Sequence, residues 1–238
     1  MKSNKLKFDN YSNVYGLVEA INLLKNLAKD FKKFDESVDI ECYFDFSRLS
    51  KSSIFKNFSI LPFGSGQKRC VAVFYDNKMK IDELKYSGAD EVFFDDFFLL
   101  LKDRKKLTYS YLITTEKLIS FLKPYSSLLG PLGLLPNLKC GTLALTDESI
   151  SSIIYNCKWK QINYTIDSIG ALRCSVGRIS FTTDEIEKNI YFLLCDVFKN
   201  NFPQFYFDFL RIIRLSTTMG PSLQITIESV TKKCNEKI

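Results

Sequence analysis

Lys68-Arg69-Cys70-Val71-Ala72-Val73-Phe74 is the stretch on which the fold turns. From Cys70 to Phe74 every residue is apolar, as in a strand covered on both faces. Upstream the rhythm is different. Val38, Ile40, Cys42 and Phe44 alternate with Ser37, Asp39, Glu41 and Tyr43, which predicts a strand with one buried face. Between the two patterns an extended stretch at Lys56 to Leu61 runs into Pro62-Phe63-Gly64-Ser65-Gly66, a turn-rich boundary. The change of period marks the start of a second kind of structure.

Downstream, helical stretches near Lys78 to Ser87 and Asp95 to Asp103, a strand at Tyr109 to Ile113 and a helix at Glu116 to Leu122 alternate as in a parallel α/β domain. Gly130 to Thr142 holds two prolines and three glycines, so it reads as an ordered loop. Asp147 caps a helix reaching about Cys157. The antiparallel pattern then returns: Gln161 to Ile166, a turn at Asp167 to Gly170, and Ala171 to Val176. Thr182 and Glu185 form a capping box for a helix from about Asp184 to Lys199. Strands near Phe209 to Thr217 and Ser222 to Glu228 follow. Before all of this, Asn13 caps a helix to about Phe31, with Val14, Leu17, Val18, Ile21, Leu24, Ala28 and Phe31 on one stripe. The expectation is a mixed α/β and α+β protein of two domains. A split, ferredoxin-like α+β domain spans residues 1–67 and 158–238, and a Rossmann-like parallel α/β domain, residues 68–157, is inserted in it.

The composition closes off several functions. The 238 residues include no histidine, which removes the commonest general base and a common metal ligand. Seven cysteines stand singly, with no CxxC pair, so neither a zinc site nor another cofactor is expected. An odd count fits a reducing compartment. Met1 to Asn13 is polar and reads as neither signal nor transit peptide, and no apolar run approaches the roughly 20 residues of a membrane helix. Abundant Phe, Lys, Asn, Ile and Tyr point to an AT-rich genome, an organelle's or a reduced bacterium's. The net charge is +6. Residues 1–67 with 158–238 hold 21 Lys+Arg and 16 Asp+Glu, whereas residues 68–157 hold 12 and 11, so the excess is expected on the split domain.

Five stretches carry a resemblance. Lys33-Phe34-Asp35-Glu36-Ser37-Val38-Asp39 is similar to a KFDETVE-like segment, Leu61 to Gly66 to an LPHGxG boundary, and Ser87 to Glu91 to an AGAD segment. Gly130 to Thr142 is similar to GPRGLMPNPKxGT, and Ser216 to Pro221 matches STTMGP. In this order they resemble the family of the first large-subunit ribosomal protein, in its bacterial or organellar form. The resemblance implies a non-catalytic constituent of the large ribosomal subunit. The split domain would grip large-subunit rRNA to form the mobile lateral stalk, and the inserted domain would help deacylated tRNA leave the exit site. Repression of its own mRNA is a further family property. Departures fall at Leu132 and Leu138, where the loop signature has Arg and Pro, at Phe63 in place of the boundary histidine, and at Ile212 after Arg211.

On its own residues Phe34 reads as a core ring beside a solvated lysine pair. The resemblance turns it, with Lys33 and Ser37, toward RNA: a ring to stack on a base or sugar and a lysine for phosphate. Glu36 reads either as a solvated acid or as an acceptor for a 2′-OH, for a guanine amino group or for a neighbouring arginine. Thr217, Thr218, Met219 and Gly220 supply hydroxyls, an adaptable apolar side chain and a close backbone approach, suited to a shallow RNA minor groove. Arg173, Arg178, Arg211 and Arg214 punctuate strands; a solvated face is the default, and the charge excess favours phosphate for about half of them. Gly64, Gly66 and Lys158 lie where the chain passes between domains and are expected to act as a hinge.

The alternatives are a small α/β enzyme using a nucleotide and an RNA-binding paralogue outside the ribosome. Asp76-Asn77-Lys78, after the first inserted strand, has no glycine to seat phosphates, and the Gly130 loop lacks the GK[ST] ending. Asp90-Glu91 and Asp95-Asp96 read as helix N-terminal acids rather than metal or acid–base pairs.

Overall fold

A computed structural model describes residues 14–30, 34–45, 54–76, 80–94, 96–98, 108–201 and 209–230. In chain order the elements are β1 (Val14–Tyr15), α1 (Leu17–Asp30), β2 (Ser37–Phe44), β3 (Phe55–Ile60), β4 (Val71–Phe74), α2 (Ile81–Tyr86), β5 (Glu91–Phe93), β6 (Tyr111–Thr115), α3 (Ile119–Leu122), α4 (Ser126–Leu129), β7 (Leu143–Ala144), α5 (Ser149–Tyr155), β8 (Gln161–Ile166), β9 (Ala171–Arg178), α6 (Thr183–Asn201), β10 (Leu210–Thr217) and β11 (Leu223–Ile225). They form a seven-stranded sheet, in the order β1-β11-β10-β2-β9-β8-β3, and a four-stranded sheet, β5-β4-β6-β7. The mixture is the α/β and α+β combination that the changing period predicts. Two compact units result, Met1–Ser65 with Tyr164–Ile238, and Gly66–Asn163.

In the split unit β2 lies between β10 and β9, antiparallel to both, with Glu41 opposite Arg214 on one side and Arg173 on the other. Val38, Ile40, Cys42 and Phe44 are buried, as the alternation predicts. Helix α1 packs on β10 and β11 and against α6, which covers β3 and β9. The helix α1 starts three residues later than the stripe predicts. Val14 pairs in parallel with Gln224 instead, and Glu19 accepts the Gly16 N–H at 3.3 Å. The predicted cap, Asn13, lies outside the described residues. The capping box at α6 forms in full: Thr182 N–H donates to Glu185 (2.7 Å), and Glu185 N–H to the Thr182 hydroxyl (3.3 Å). Gly170 closes the β8–β9 turn at φ 82°. A Cβ there would stand 2.1 Å from the Phe44 carbonyl, so only glycine fits. The last strand ends at Ile225, short of Glu228, and residues 227–230 are helical.

The inserted unit has a wholly parallel sheet. Val71 to Phe74 and Tyr111 to Thr115 are buried throughout, as strands covered on both faces must be. The helix predicted at Glu116 to Leu122 shrinks to α3, and of that at Asp95 to Asp103 the described part is residues 96–98. Asp90 is no helix N-terminal acid. Its carboxylate receives Val71 N–H and the Lys158 ammonium, each at 2.8 Å, while Glu91 opens β5. The Gly130 loop is closed by its own bonds: Asn137 N–H to the Thr142 hydroxyl at 3.0 Å, and Thr142 N–H to the Asn137 carbonyl at 3.2 Å.

Lys158 and Lys160 fall within the inserted unit. The split unit therefore holds 19 Lys+Arg against 16 Asp+Glu and the inserted one 14 against 11, so each carries a net +3. This corrects the expectation that the split domain holds nearly all the excess.

Candidate RNA interface

The start of β2 and the end of β10 are neighbours in an antiparallel ladder, with Thr217 opposite Val38. That register alone brings two stretches, 183 residues apart, to one end of the sheet. Ser37 N–H donates to the Thr218 hydroxyl at 3.1 Å, the two hydroxyls lie 3.0 Å apart, and Thr218 N–H returns to the Ser37 carbonyl at 3.3 Å. Ser37 Oγ–H also reaches Asp39 at 3.1 Å.

Glu36 is 2% exposed, so it is not a solvated acid. Its carboxylate accepts the Met219 N–H at 3.3 Å and so fixes the turn that follows β10. A buried carboxylate needs such donors. Met219, by contrast, is 74% exposed, and Phe34 is 53% exposed. Neither is a core side chain. Thr217 is buried beneath the turn, with Gly220 N–H on its carbonyl at 3.2 Å. A Cβ at Gly220 would lie 2.2 Å from Thr217 Oγ1. Within the chain itself, Gly220 is required by its close approach to Thr217.

Arg178 is opposite Ser37 at the same sheet end and donates to the Asp35 carbonyl at 2.9 Å. The other three arginines lie elsewhere. Arg173 and Arg214 flank Glu41, at 2.7 and 3.8 Å, about 13 Å along β2 from Ser37 at the usual strand rise. Tyr43 joins them: its hydroxyl accepts from Arg173 at 3.2 Å and donates to Glu41 at 3.0 Å. Burial tends to raise the Glu41 carboxyl, but Arg173, Tyr43 and Arg214 outweigh it and hold the group below the usual range. Arg211 is farther still, on Asp45 beyond the other end of β2, with Nε at 3.0 Å. Lys33 lies outside the described residues.

Of the candidates, Phe34, Glu36, Ser37, Arg178 and Thr217 to Gly220 are brought together. Asp35, Ser180, Glu41 and Asp45 take part in these contacts, and no local sequence signal marks them. The pairing depends on partners more than a hundred residues away, which spacing cannot show. Among the proposed hinge residues, Gly64 (φ 69°) is held by Asn189, which donates to its carbonyl at 2.8 Å, and Lys158 is tied to Asp90 and to the Gly88 carbonyl. Gly66 also has a φ of 69°.

Cys42 and Cys157 are buried and Cys174 is half-buried, all as small core groups. Burial pushes the Cys157 and Cys174 thiols up to about 12 and raises Cys42 well above its ordinary value, so they stay protonated. Among the described residues no group of three or more His, Cys, Asp or Glu could hold a metal ion, and no helix is long and apolar enough to cross a membrane.

Residues 24–221 match the model of the ribosomal protein L1p/L10e family. Large ribosomal subunit protein uL1 of Orientia tsutsugamushi (strain Boryong) is 32% identical over 94% of this chain and 87% of its own. The uL1 of Coxiella burnetii (strain Dugway 5J108-111) is 32% identical over 89% and 88%, and that of Xylella fastidiosa (strain M12) 31% over 92% of each. Matched along most of its length by the family model and by relatives of nearly equal extent, the chain belongs to the ribosomal protein L1p/L10e family.

Proposed function

We propose that this protein is a structural constituent of the large ribosomal subunit and binds its rRNA through the end of the split sheet. The observation that carries the reading is the convergence of Phe34 to Ser37 with Thr217 to Gly220. It sets an exposed ring, an exposed thioether and two hydroxyls beside Arg178. Hydroxyls and backbone groups suit 2′-OH contacts, and Arg178 suits phosphate. Arg178 donates to a carbonyl, which orients the guanidinium without cancelling its charge. Arg173, Arg211 and Arg214 meet carboxylates instead, so their phosphate contacts would compete with Glu41 and Asp45.

The finer reading is that the rRNA bound is that of the mobile lateral stalk and that the inserted unit assists release of deacylated tRNA. A similar fold in its own mRNA would occupy the same site and repress translation. The bacterial relatives support a ribosomal location and lend nothing to the organellar alternative; the finer reading is the cytoplasm of a bacterium. A non-catalytic role is supported by the carboxyl end of β4, where ligands of open parallel sheets usually bind. There the Phe74 ring is packed among Phe94, Phe97 and Phe98, with centroids 5.6 to 5.9 Å away.

Crosslinking the protein to RNA and mapping both partners tests the reading. Crosslinks from Phe34 and Met219 to one stalk rRNA element support it. Crosslinks confined to the inserted unit, or no co-sedimentation with large subunits, refute it.

A further inference from the structure

The last residue of β9 and the two that follow it are tied back to the two residues that precede Ser37. Arg178 Nη1 donates to the Asp35 carbonyl at 2.9 Å, and Ile179 N–H to the Glu36 carbonyl at 3.0 Å. The Asp35 carboxylate takes both Ser180 donors, the backbone N–H at 3.1 Å and the hydroxyl at 2.7 Å. Asp35 is itself exposed, and so is Ser180. A carboxylate receiving two donors at the surface adds little to global stability, but it fixes local geometry.

What it fixes is the orientation of Arg178. In this unit Arg173 and Arg214 are oriented by Glu41 on the sheet face and Arg211 by Asp45 just beyond β2, at the cost of meeting opposite charge. For Arg178 the carboxylate grips the neighbouring Ser180, and the guanidinium is steered through a neutral carbonyl. An arginine pre-oriented in this way loses less side-chain freedom on meeting an RNA phosphate.

We infer that Asp35 is the positioning residue for a phosphate contact by Arg178, acting through Ser180, and that the turn from Arg178 to Ser180 is part of the RNA interface. This rests on the proposed placement of the RNA site at this sheet end.

The test measures binding of the full chain to the stalk rRNA fragment across a salt series, for wild type, Asp35→Ala, Asp35→Asn, Arg178→Ala, the Asp35→Ala/Arg178→Ala double variant and Met219→Asp. Circular dichroism checks the fold of each. Asp35→Ala should weaken binding by about tenfold or more, the scale of one charge-assisted bond. It should flatten the slope of log affinity against log salt by about one, as Arg178→Ala does. Asp35→Asn keeps an acceptor for the Ser180 N–H and should bind within about threefold of wild type. The double variant should bind no worse than the weaker single one. Weakened binding with an unchanged salt slope, or additive losses in the double variant, would overturn the positioning role. If Met219→Asp abolishes binding while Asp35→Ala does not alter it, the site stands and the Asp35 inference falls. If neither Met219→Asp nor Arg178→Ala has any effect, the placement of the site falls and this inference with it.

Discussion

Met219 shows how a single side chain reports on the site. It is largely exposed, yet its backbone is fixed by a buried carboxylate. Replacing it with aspartate should leave the turn folded and abolish binding to the stalk rRNA fragment, because a carboxylate would face phosphate. Leu132→Asp, on the inserted unit's Gly130 loop, should change rRNA affinity less than about threefold. Filter binding of the two variants side by side decides it, and the reverse outcome would put the site in the wrong unit. Gly220 and Glu36 illustrate how far residue types can be read. The glycine and acid were both legible as unusual within the STTMGP and KFDE stretches. That the glycine accommodates Thr217, and that the acid holds a backbone N–H, became visible only with the ladder closed.

At the scale of elements, sequence reading succeeds where one segment carries its own reason. The β2 alternation, the β4 apolar run and the Thr182–Glu185 capping box are local signals, and each forms as predicted. It misses β1, β5 and β7, strands of two or three residues whose existence depends on a distant partner rather than on their own pattern. The strand arginines were equally opaque: period 2 puts Arg173 and Arg214 on the open face, but nothing local reveals that Glu41 stands between them. Because that carboxylate already takes both, Arg173→Ala and Arg214→Ala should each reduce RNA affinity less than Arg178→Ala does. Equal losses in a salt-series titration would show that the whole sheet face meets RNA. In the inserted unit the Asp90–Lys158 pair ties β4 to the turn after α5. Burial opposes the charge on Asp90, but Lys158 and the Val71 N–H prevail and lower its pKa. A lowered carboxyl gives stability that is present above its unfolded value, about 3.9, and lost as pH falls through the folded value. Lys158→Met should therefore lower Tm near neutral pH, by an amount that shrinks as pH falls below about 3.9. A Tm difference that persists undiminished at pH 2 would assign the loss to packing of the lysine stem.

For the whole molecule, the two units carry the same net charge. On the proposed reading, affinity for rRNA comes from where the groups converge rather than from bulk charge. Replacing residues 68–157 by a short linker should leave binding to the rRNA fragment largely intact, with a salt slope corresponding to roughly 4–8 phosphates. Loss of binding in a variant whose split unit is still folded would contradict this.

The same long-range pairing sets a condition on biosynthesis. Glu36 leaves the ribosomal tunnel 183 residues ahead of Met219. At about 5–20 residues per second, that delay is on the order of ten to forty seconds. During it β2 has neither β9 nor β10 beside it for much of the time, whereas the inserted unit is contiguous in the chain and can collapse first. On the proposed placement of the RNA site, a nascent chain is blind to RNA until its last strands emerge.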